Sequence, residues 1–409
     1  MTNNAITSDP TVAPSHPIRA SAGAVATTVA CVLPVFLLGG LAVQMGRDLD
    51  FSPAGLGLAV SVYFGVSALA SVPSGRLVER YGAAPVARCG IVLAAGSMLA
   101  VAAFARSYPV LVGLLALSAA ANALGQLASN AALAQHVPAR RQGLSFGVKQ
   151  AAIPVSTLLA GAAVPTIALT VGWRWAFVAA AVVATMTLAA VPRQVPLRAR
   201  RAGATRAGRA TAALVVVGAA ATLAAAAANA LGTFLVDSAA ARGMSPGLAG
   251  LTLTLGSAIC VTARVGAGWL ADRRVTGHVA VIAAMLVVGA AGLGLLALTG
   301  PVPLVAGVVL GFGLGWAWPG LMTFAVVRLH PQSPAAATSI TQTGVYAGGC
   351  LGPLTLGPLA AHLGYPAMWT ASAVSMLLAA VLMLCGGRLL TRVASAASRG
   401  DDQLVRSAM

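Results

Sequence analysis

Acidic residues are scarce in this chain: only eight occur among its 409 residues. They are Asp9, Asp48, Asp50, Glu79, Asp237, Asp272, Asp401 and Asp402. None of them falls in the middle of a long apolar segment, and Asp237 only reaches the end of one. A membrane-embedded enzyme of the prenyltransferase kind would need clustered aspartates there to hold magnesium. The sequence therefore predicts neither a metal site nor a cofactor, and it argues against an enzyme.

Charged residues of either sign are scarce as well, and the cysteines show no spacing typical of a paired site. Charged residues make up 8% of the chain, whereas 58% of it is hydrophobic and the mean hydropathy is +0.89. A soluble protein of this length would need many more charges to cover its surface. The five cysteines show no CxxC spacing, so they predict neither a disulfide framework nor a zinc site.

Apolar runs recur along nearly the whole sequence, and runs of about 20 residues are long enough to cross a hydrocarbon core. The runs are continuous rather than alternating, which excludes a transmembrane β-barrel. We therefore predict an all-α membrane protein with twelve transmembrane helices in two six-helix, pseudo-symmetric halves. The predicted spans, numbered 1 to 12 in chain order, cover residues 23–45, 54–74, 84–104, 109–134, 144–169, 173–191, 211–236, 246–267, 278–298, 302–327, 336–360 and 366–387.

The positions of the basic residues predict the orientation. Of the 25 Lys and Arg residues, 19 lie in the terminal segments and loops on the N-terminal side, and four lie in loops on the other side. The remaining two, Lys149 and Arg264, lie near the ends of spans 5 and 8 on the first side. Because short loops rich in Lys and Arg stay in the cytoplasm, both termini are predicted to be cytoplasmic in a bacterial-type plasma membrane. The net charge of +17 then reflects topology and contact with anionic lipid rather than nucleic-acid binding.

The chain also carries an internal repeat. GRLVER at 75–80 aligns with GWLADR at 268–273 at an offset of 193 residues, the difference between positions 75 and 268. The same offset carries Pro138 onto Pro331 and Pro165 onto Pro358, and this agreement at one spacing indicates a repeat. The predicted organisation is a disordered cytoplasmic tail (1–21), a six-helix half (22–191), a basic linker (192–210), a second half (211–388) and a cytoplasmic tail (389–409).

The two aligned segments resemble the signature of the major facilitator superfamily, whose members are transporters built from two six-helix halves. Gly75-Arg-Leu-Val-Glu-Arg-Tyr-Gly82 is similar to its loop 2–3 motif, Gly-x-Leu-x-Asp-Arg-x-Gly followed by basic residues. Gly268-Trp-Leu-Ala-Asp-Arg-Arg274 is similar to the degenerate second copy in loop 8–9. Glu79 stands in place of the usual aspartate, the trailing basic residue comes late, at Arg88, and the second copy lacks its closing glycine.

This resemblance implies a gate on the cytoplasmic side. The acidic residue of each copy would face the start of a helix in the opposite half: Glu79 that of span 11 near Ala336, and Asp272 that of span 5 near Gly143. Gly75 and Gly268 would let helix ends approach closely. The alternative is that both copies are ordinary charged loops. The residues predicted for the gate are Gly75, Arg76, Glu79, Arg80, Gly82, Arg264, Gly268, Asp272 and Arg273, and for Arg264 a purely structural role is the alternative.

Polar residues inside the spans are the candidates for a substrate site, because such groups are costly in a membrane and usually face a cavity. Four of them recur at three- or four-residue intervals on one face of span 4: Ser118, Asn122, Gln126 and Ser129. The family lines its pathway with spans 1, 4, 7 and 10, and spans 7 and 10 contribute Asn229 and Trp316. Helix–helix hydrogen bonding is the alternative for each residue.

Lys149 is the only lysine in the chain, and it lies eight residues beyond Arg141, which is about 12 Å deeper along span 5. The repeat offset pairs Lys149-Gln150 with Gln342-Thr343 of span 11. We predict that these residues face each other across a central cavity, and that Lys149 contacts an anionic part of the substrate. The alternative is that its flexible stem carries the ammonium to the membrane interface.

The resemblance implies a secondary active transporter that works by alternating access. Because the spans contain cations and no buried carboxylate, a small organic anion is the favoured substrate. A multidrug or metabolite efflux antiporter of the same fold is the alternative. Drug antiporters of the family usually have an arginine in span 4 and Gly-x-x-x-Gly-Pro-x-x-Gly-Gly in span 5. Here Ala121-Asn122 stands where that arginine would fall, and span 5 has no such motif. Gly348-x-x-x-Gly352-Pro353 in span 11 is a distant echo of it.

Two other classes stay open at this stage. An intramembrane serine protease would need a buried serine–histidine pair, and His362 has no evident serine partner. A non-transporting sensor is disfavoured because no signalling domain is evident. The expected partners are a small-molecule substrate, the lipid bilayer and, if transport is coupled, a proton or a counter-solute. Nucleic acid is not expected, and the chain is expected to be a monomer.

Overall fold

The structure is a computed structural model that describes residues 17–138, 141–191, 212–273, 277–329 and 334–407. Within these ranges the chain is helical apart from short turns and contains no strand. The predicted all-α membrane fold is therefore confirmed. The linker predicted at 192–210 lies outside the described residues, as does most of the predicted N-terminal tail.

The first half contains spans 1 to 6. Span 1 is followed by a short helix, Ala42–Leu49, and span 5 continues in a π-helical turn, Val164–Ala168. Span 6 ends in a 3-10 turn, Thr187–Ala190. The helices of spans 1 to 6 are Pro17–Gly40, Pro53–Tyr81, Ala83–Phe104, Tyr108–His136, Gln142–Ala163 and Trp173–Met186.

The second half contains spans 7 to 12. Span 10 is interrupted, because the helix Pro301–Leu310 passes through a π-helical turn, Gly311–Gly315, and resumes as a second helix, Pro319–Leu329. Spans 7 to 9 are Ala212–Ala241, Pro246–Arg273 and His278–Leu296, and spans 11 and 12 lie in Pro334–Ser407.

The long helix Pro334–Ser407 is two helices that meet at Gly364. This residue has φ 81° and ψ 168°, a conformation that glycine adopts readily because it lacks a Cβ. Among the described residues, eleven segments are long and apolar enough to cross a membrane, and the last of them, Thr341–Leu389, contains both spans on either side of Gly364. The twelve predicted spans are therefore all present.

Several helix boundaries differ from the prediction. Span 1 begins at Pro17, inside the segment predicted as a disordered tail, because proline is well suited to the first turn of a helix. Span 2 continues to Tyr81, so most of the first motif is helical and Gly82, with φ 87°, makes the turn into span 3. The last helix continues to Ser407, beyond the end predicted at residue 387.

Glycine contacts hold spans 5 and 8 together near both of their ends. A Cβ atom on Gly161 would lie 2.6 Å from the carbonyl oxygen of Gly250. At the other end, a Cβ atom on Gly268 would lie 2.8 Å from the carbonyl oxygen of Gly143. Because such distances are too short for any side chain, glycine is required for this approach of two helices from opposite halves.

The side of the membrane predicted to be outer is closed between the halves. A Cβ atom on Gly39 of span 1 would collide with the carbonyl oxygen of Gly232 of span 7. A Cβ atom on Gly57 of span 2 would likewise collide with the carbonyl oxygen of Pro353 of span 11. These contacts lie toward the ends of the helices that precede or follow the predicted outer loops, so a cavity deeper in the bundle is covered on that side.

A polar cluster ties the outer ends of the first half together. Asp48 accepts hydrogen bonds from Trp173 Nε1 at 3.0 Å and from Arg174 Nη1 at 2.7 Å. These bonds, first that from Trp173 and then that from Arg174, hold the pKa of the Asp48 carboxyl below its usual value. The cluster therefore stays ionised and joined at neutral pH.

Candidate functional site

A cavity lies between the two halves, and spans 1, 2, 4, 5, 7, 8, 10 and 11 all contribute to its wall. The space between the lining residues, counted together with the solvent that is continuous with it, is about 680 Å³. The structure brings six of the eight residues predicted for the substrate site to this wall: Asn122, Gln126, Gln150, Asn229, Trp316 and Gln342. The remaining two, Lys149 and Thr343, are not among the residues that line it.

Helix rotation explains why the repeated pair divides in this way. Neighbouring residues on a helix point about 100° apart, so two adjacent side chains cannot face one cavity equally. In span 5, Gln150 and Ile153 line the cavity, and Lys149 is not among the lining residues. In span 11, Gln342 lines the cavity and Thr343 is exposed. The positions of Lys149 and Thr343 thus correct the prediction that both complete pairs face the cavity.

Lys149 is buried and lies behind the cavity wall. Its side chain is 1% exposed, and its Nζ donates a hydrogen bond to Oε1 of Gln126, which does line the cavity. The ammonium is therefore held inside the bundle and is not extended to the surface. Because an ammonium can only donate, the bond orients the Gln126 amide with its oxygen toward Lys149, which leaves its NH₂ group for other partners.

Arg264 lies in the cavity wall, whereas the sequence placed it in the gate. Its side chain is 1% exposed. Nε and Nη2 donate to the carbonyl oxygen of Trp316 at 3.0 and 2.6 Å, and Nη1 donates to that of Gln150 at 2.5 Å. The guanidinium therefore joins span 5 of the first half to span 10 of the second. Helical spacing could have shown this position, because Arg264 shares the buried face of span 8 with Leu253, Ser257, Cys260 and Gly268.

The two buried cations have no counter-charge. Neither Lys149 nor Arg264 forms an ion pair in the described part of the chain, and they are close enough to interact electrostatically. No carboxylate occurs among the described residues that line the cavity. Burial of a charge without an opposite charge is costly, so this arrangement favours the entry of an anion.

The polar face predicted in span 4 serves two purposes. Asn122 and Gln126 line the cavity, and Nδ2 of Asn122 donates to Oγ of Ser67 at 3.1 Å. Ser129 Oγ lies 2.6 Å from the carbonyl oxygen of Gly125 in its own helix and 3.1 Å from that of Ala24 in span 1, and it accepts a hydrogen bond from Thr28 of span 1 at 3.3 Å. Ser118 donates to the carbonyl oxygen of Leu115 in its own helix at 2.7 Å. Helix–helix hydrogen bonding, the alternative, therefore holds for Ser129, and also for Asn122, which bonds span 2 while it lines the cavity.

The cavity also has an aromatic lining that the sequence analysis missed in part. Phe36, Phe64 and Tyr346 line it together with Trp316. The rings of Phe36 and Trp316 meet edge to face, with centroids 5.8 Å apart. Tyr346 lies four residues after Gln342, and this spacing places both on one face of span 11 and could have identified it.

The second copy of the motif makes the contact that was predicted for it. Asp272 Oδ1 accepts a hydrogen bond from the Gly143 N–H at 3.0 Å, and Oδ2 accepts one from the Leu144 N–H at 2.9 Å. These donors lie in the first turn of span 5, whose unpaired N–H groups and helix dipole favour a carboxylate. Gly268 makes its predicted close approach to Gly143. Arg273 is exposed, and its guanidinium carbon lies 3.6 Å from the ring centroid of Trp269.

The first copy of the motif looks different. No described atom lies within 4 Å of a Cβ placed on Gly75, so the predicted close approach at this residue is not seen. Arg76, Glu79 and Arg80 are exposed. The side chain of Ala336, near which Glu79 was expected, lies outside the described residues, so this contact stays a prediction.

The Asp272 contact leads to a testable expectation for the gate. Asp272→Asn removes the charge that stabilises the first turn of span 5 by about 1 kcal/mol, and so should shift the protein toward opening on the inner side by roughly fivefold. In a background without native cysteines, Thr323→Cys in the cavity should then react faster with a membrane-impermeant maleimide in inside-out vesicles. Asp48→Asn, on the outer side, is the control.

Two other results of the labelling would count against these assignments. An unchanged rate in Asp272→Asn would show that the contact does not hold the inner side closed. Faster reaction in right-side-out vesicles alone would overturn the predicted orientation.

Comparison with known proteins agrees with this geometry. A family profile described as Major Facilitator Superfamily matches residues 24–353. A chloramphenicol resistance protein of Streptomyces lividans is 28% identical over 378 residues, which cover 88% of this chain and 94% of the relative. The family match extends from span 1 into span 11 and includes both motif copies and the cavity between the halves. This chain belongs to the Major Facilitator Superfamily.

Proposed function

We propose that this protein is a secondary transporter that carries a small organic anion across a bacterial-type plasma membrane by alternating access. The observation that supports this substrate class is Arg264, a buried cation in the wall of the cavity between the halves. Lys149 adds a second positive charge behind Gln126. With no carboxylate among the described lining residues, the cavity offers a cationic substrate no counter-charge.

The geometry of Arg264 suits recognition of a carboxylate. A guanidinium has five N–H donors in a rigid plane; three bond the carbonyl oxygens of Trp316 and Gln150, and the Cys260 side chain also bonds the group, so one donor is left for a ligand. Those bonds also fix the side chain before a ligand arrives, so little side-chain entropy is lost on binding. An anion bound here would contact a residue of the second half that is itself hydrogen-bonded to the first half.

The remaining features of the proposal follow from charge and family. The bias of cations toward one side supports cytoplasmic termini. We propose a monomer that needs no cofactor, metal or nucleic acid, and that is not an enzyme, since members of the superfamily are transporters. Either a proton or a counter-solute would serve as the coupling species in such a transporter.

A ligand screen followed by a flux measurement tests the proposal. Purified protein should be stabilised against thermal unfolding by one or more small organic anions, and a ligand at 100 times its Kd adds about 2.7 kcal/mol. The same anion, radiolabelled, should exchange across liposomes that contain the protein and not across empty ones. Stabilisation by organic cations or neutral solutes alone would contradict the anion assignment.

Drug export is the second candidate, because the relative from Streptomyces lividans is named for chloramphenicol resistance. The absence of the span 4 arginine and of the span 5 motif found in drug antiporters argues against it. Labelled chloramphenicol in the same liposomes separates the two candidates. Flux of chloramphenicol together with no flux of any organic anion would favour drug export.

A further inference from the structure

Three polar atoms in residues that line the cavity have no hydrogen-bond partner among the described residues: Asn122 Oδ1, Gln150 Oε1 and Trp318 Nε1. The side chains are 1%, 8% and 0% exposed, respectively. Buried polar atoms are nearly always paired in folded proteins, and unpaired ones in a cavity wall indicate a group that is absent from the protein itself. Two of the three are hydrogen-bond acceptors.

The orientation of Asn122 is fixed by its neighbours. Its Nδ2 donates to Ser67 Oγ at 3.1 Å, and Ser67 in turn donates its only hydroxyl hydrogen to the carbonyl oxygen of Ala119 at 3.0 Å. A flipped Asn122 would place its oxygen at Ser67 Oγ, and the single hydrogen of Ser67 would then have to leave the carbonyl oxygen of Ala119. The free atom of Asn122 is therefore the amide oxygen, which requires a donor.

Gln150 carries an unpaired acceptor and also contacts the Arg264 guanidinium through its backbone. Its backbone carbonyl oxygen accepts the bond from Arg264 Nη1, while its side-chain Oε1 stays unpaired. A ligand that places a carboxylate at Arg264 therefore has an acceptor beside that carboxylate. A hydroxyl or an N–H group on the ligand would satisfy it, whereas a carboxylate oxygen would meet it with a lone pair and be repelled.

The rest of the wall suits a flat apolar group. Phe36, Phe64, Trp316 and Tyr346 surround the space that the polar groups leave, and Met322 and Ile153 complete it. An aromatic ring on a ligand packs well against the faces and edges of these aromatic side chains. A ligand that matches all of these groups has an anion, a donor and a ring.

We propose that the cavity selects aromatic carboxylic acids that carry a hydroxyl or N–H donor next to the carboxylate. This inference rests on the proposed function and specifies its substrate class. Arg264 takes the carboxylate, Gln150 or Asn122 accepts from the donor, and Trp318 Nε1 is available to an acceptor on the ligand. Such a ligand provides a hydrogen-bond donor for an amide oxygen that has no partner in the protein. An acid without the donor leaves both amide oxygens unpaired.

Three compounds that differ by one group each test this selection on the purified full chain by isothermal titration calorimetry. Phenyllactate has the carboxylate, the hydroxyl and the ring; hydrocinnamate lacks the hydroxyl; hydrocinnamyl alcohol lacks the carboxylate. Phenyllactate should bind about tenfold tighter than hydrocinnamate, the size expected of one added hydrogen bond. Both acids should bind tighter than the alcohol.

Variants identify the acceptor. Gln150→Met and Asn122→Leu keep the side-chain size and remove the acceptor, so the preference for phenyllactate over hydrocinnamate should fall to about twofold or less in at least one of them. Ser118→Ala, in which the lost hydroxyl bonds its own helix, should keep the preference. The thermal unfolding temperature of each variant shows whether it is folded.

Each remaining outcome has a distinct meaning. Equal binding of the two acids, with both tighter than the alcohol, would overturn this inference and leave the anion transporter standing, with water pairing the free atoms. A preference that persists in both variants would also overturn it. If neither acid binds but other anions stabilise the protein in the screen, the selection of aromatic acids is refuted and the anion transporter is not. If no anion stabilises the protein, the proposed function is refuted as well.

Discussion

Replacing Arg264 with glutamine should weaken binding of the transported anion by roughly two orders of magnitude, because loss of one member of a desolvated charge pair costs about 2–5 kcal/mol. The substitution removes the charge and the planar donor set of the one cation in the described cavity wall. Arg264→Lys keeps the charge and gives up the planar fork, so its affinity should fall between the two. Calorimetry with an anion from the screen measures both effects.

The control for this prediction is Arg106→Gln, which removes an exposed cation from an outer loop and should leave the affinity unchanged. Because Arg264 also joins spans 5 and 10, the unfolding temperature of Arg264→Gln has to be measured beside its affinity. A folded Arg264→Gln protein that binds the anion as tightly as the native protein would show that the substrate lies elsewhere.

Substitution of Lys149 should have the second large effect. Lys149→Gln, which copies the residue at the equivalent position of the second half, is expected to abolish transport while the protein still folds. It removes a positive charge beside the cavity and releases Gln126, whose amide is oriented by Nζ of Lys149. Lys149→Arg should transport poorly, because the larger, planar guanidinium does not fit a site that is 1% exposed.

Flux assays on these two variants also test the alternative for Lys149. If the lysine served only to reach the membrane interface, arginine would be fully functional and glutamine mildly impaired. An active Lys149→Gln protein would refute a role in transport. A further comparison separates charge from positioning. Gln126→Met keeps the charge and removes the oriented amide, so calorimetry should show a smaller loss of anion affinity in it than in Lys149→Gln.

Much of the fold could be predicted from the sequence, because hydropathy and loop charge reflect the membrane itself. Where the prediction failed, local backbone geometry decided the result. The residues of the first motif were predicted to form a loop because they are polar. In the structure, span 2 stays helical to Tyr81, and Gly82 makes the turn. Span 10 reads as one continuous run, yet its backbone passes through a π-helical turn before Pro319.

The site was predicted less completely, because the repeat indicates depth in the membrane but not rotation about a helix axis. Lys149 and Gln150 are equivalent to Gln342 and Thr343 in depth, and only one member of each pair can face the cavity. Arg264 was assigned to the gate because it lies one turn from Gly268. The same spacing puts it on the buried face of span 8, and side-chain length then brings its guanidinium to the cavity.

The glycine contacts between spans 5 and 8 have a mechanical consequence. The helices touch at Gly161–Gly250 and again at Gly143–Gly268, and between these contacts the hydroxyls of Thr157 and Ser257 meet at 2.6 Å. When one half rocks against the other, the contact at one end of this helix pair opens while the other end holds, so points between the two ends move least. Lys149 and Arg264 lie between the two contacts, so their positive charge would stay in place while the walls around it open first to one side of the membrane and then to the other.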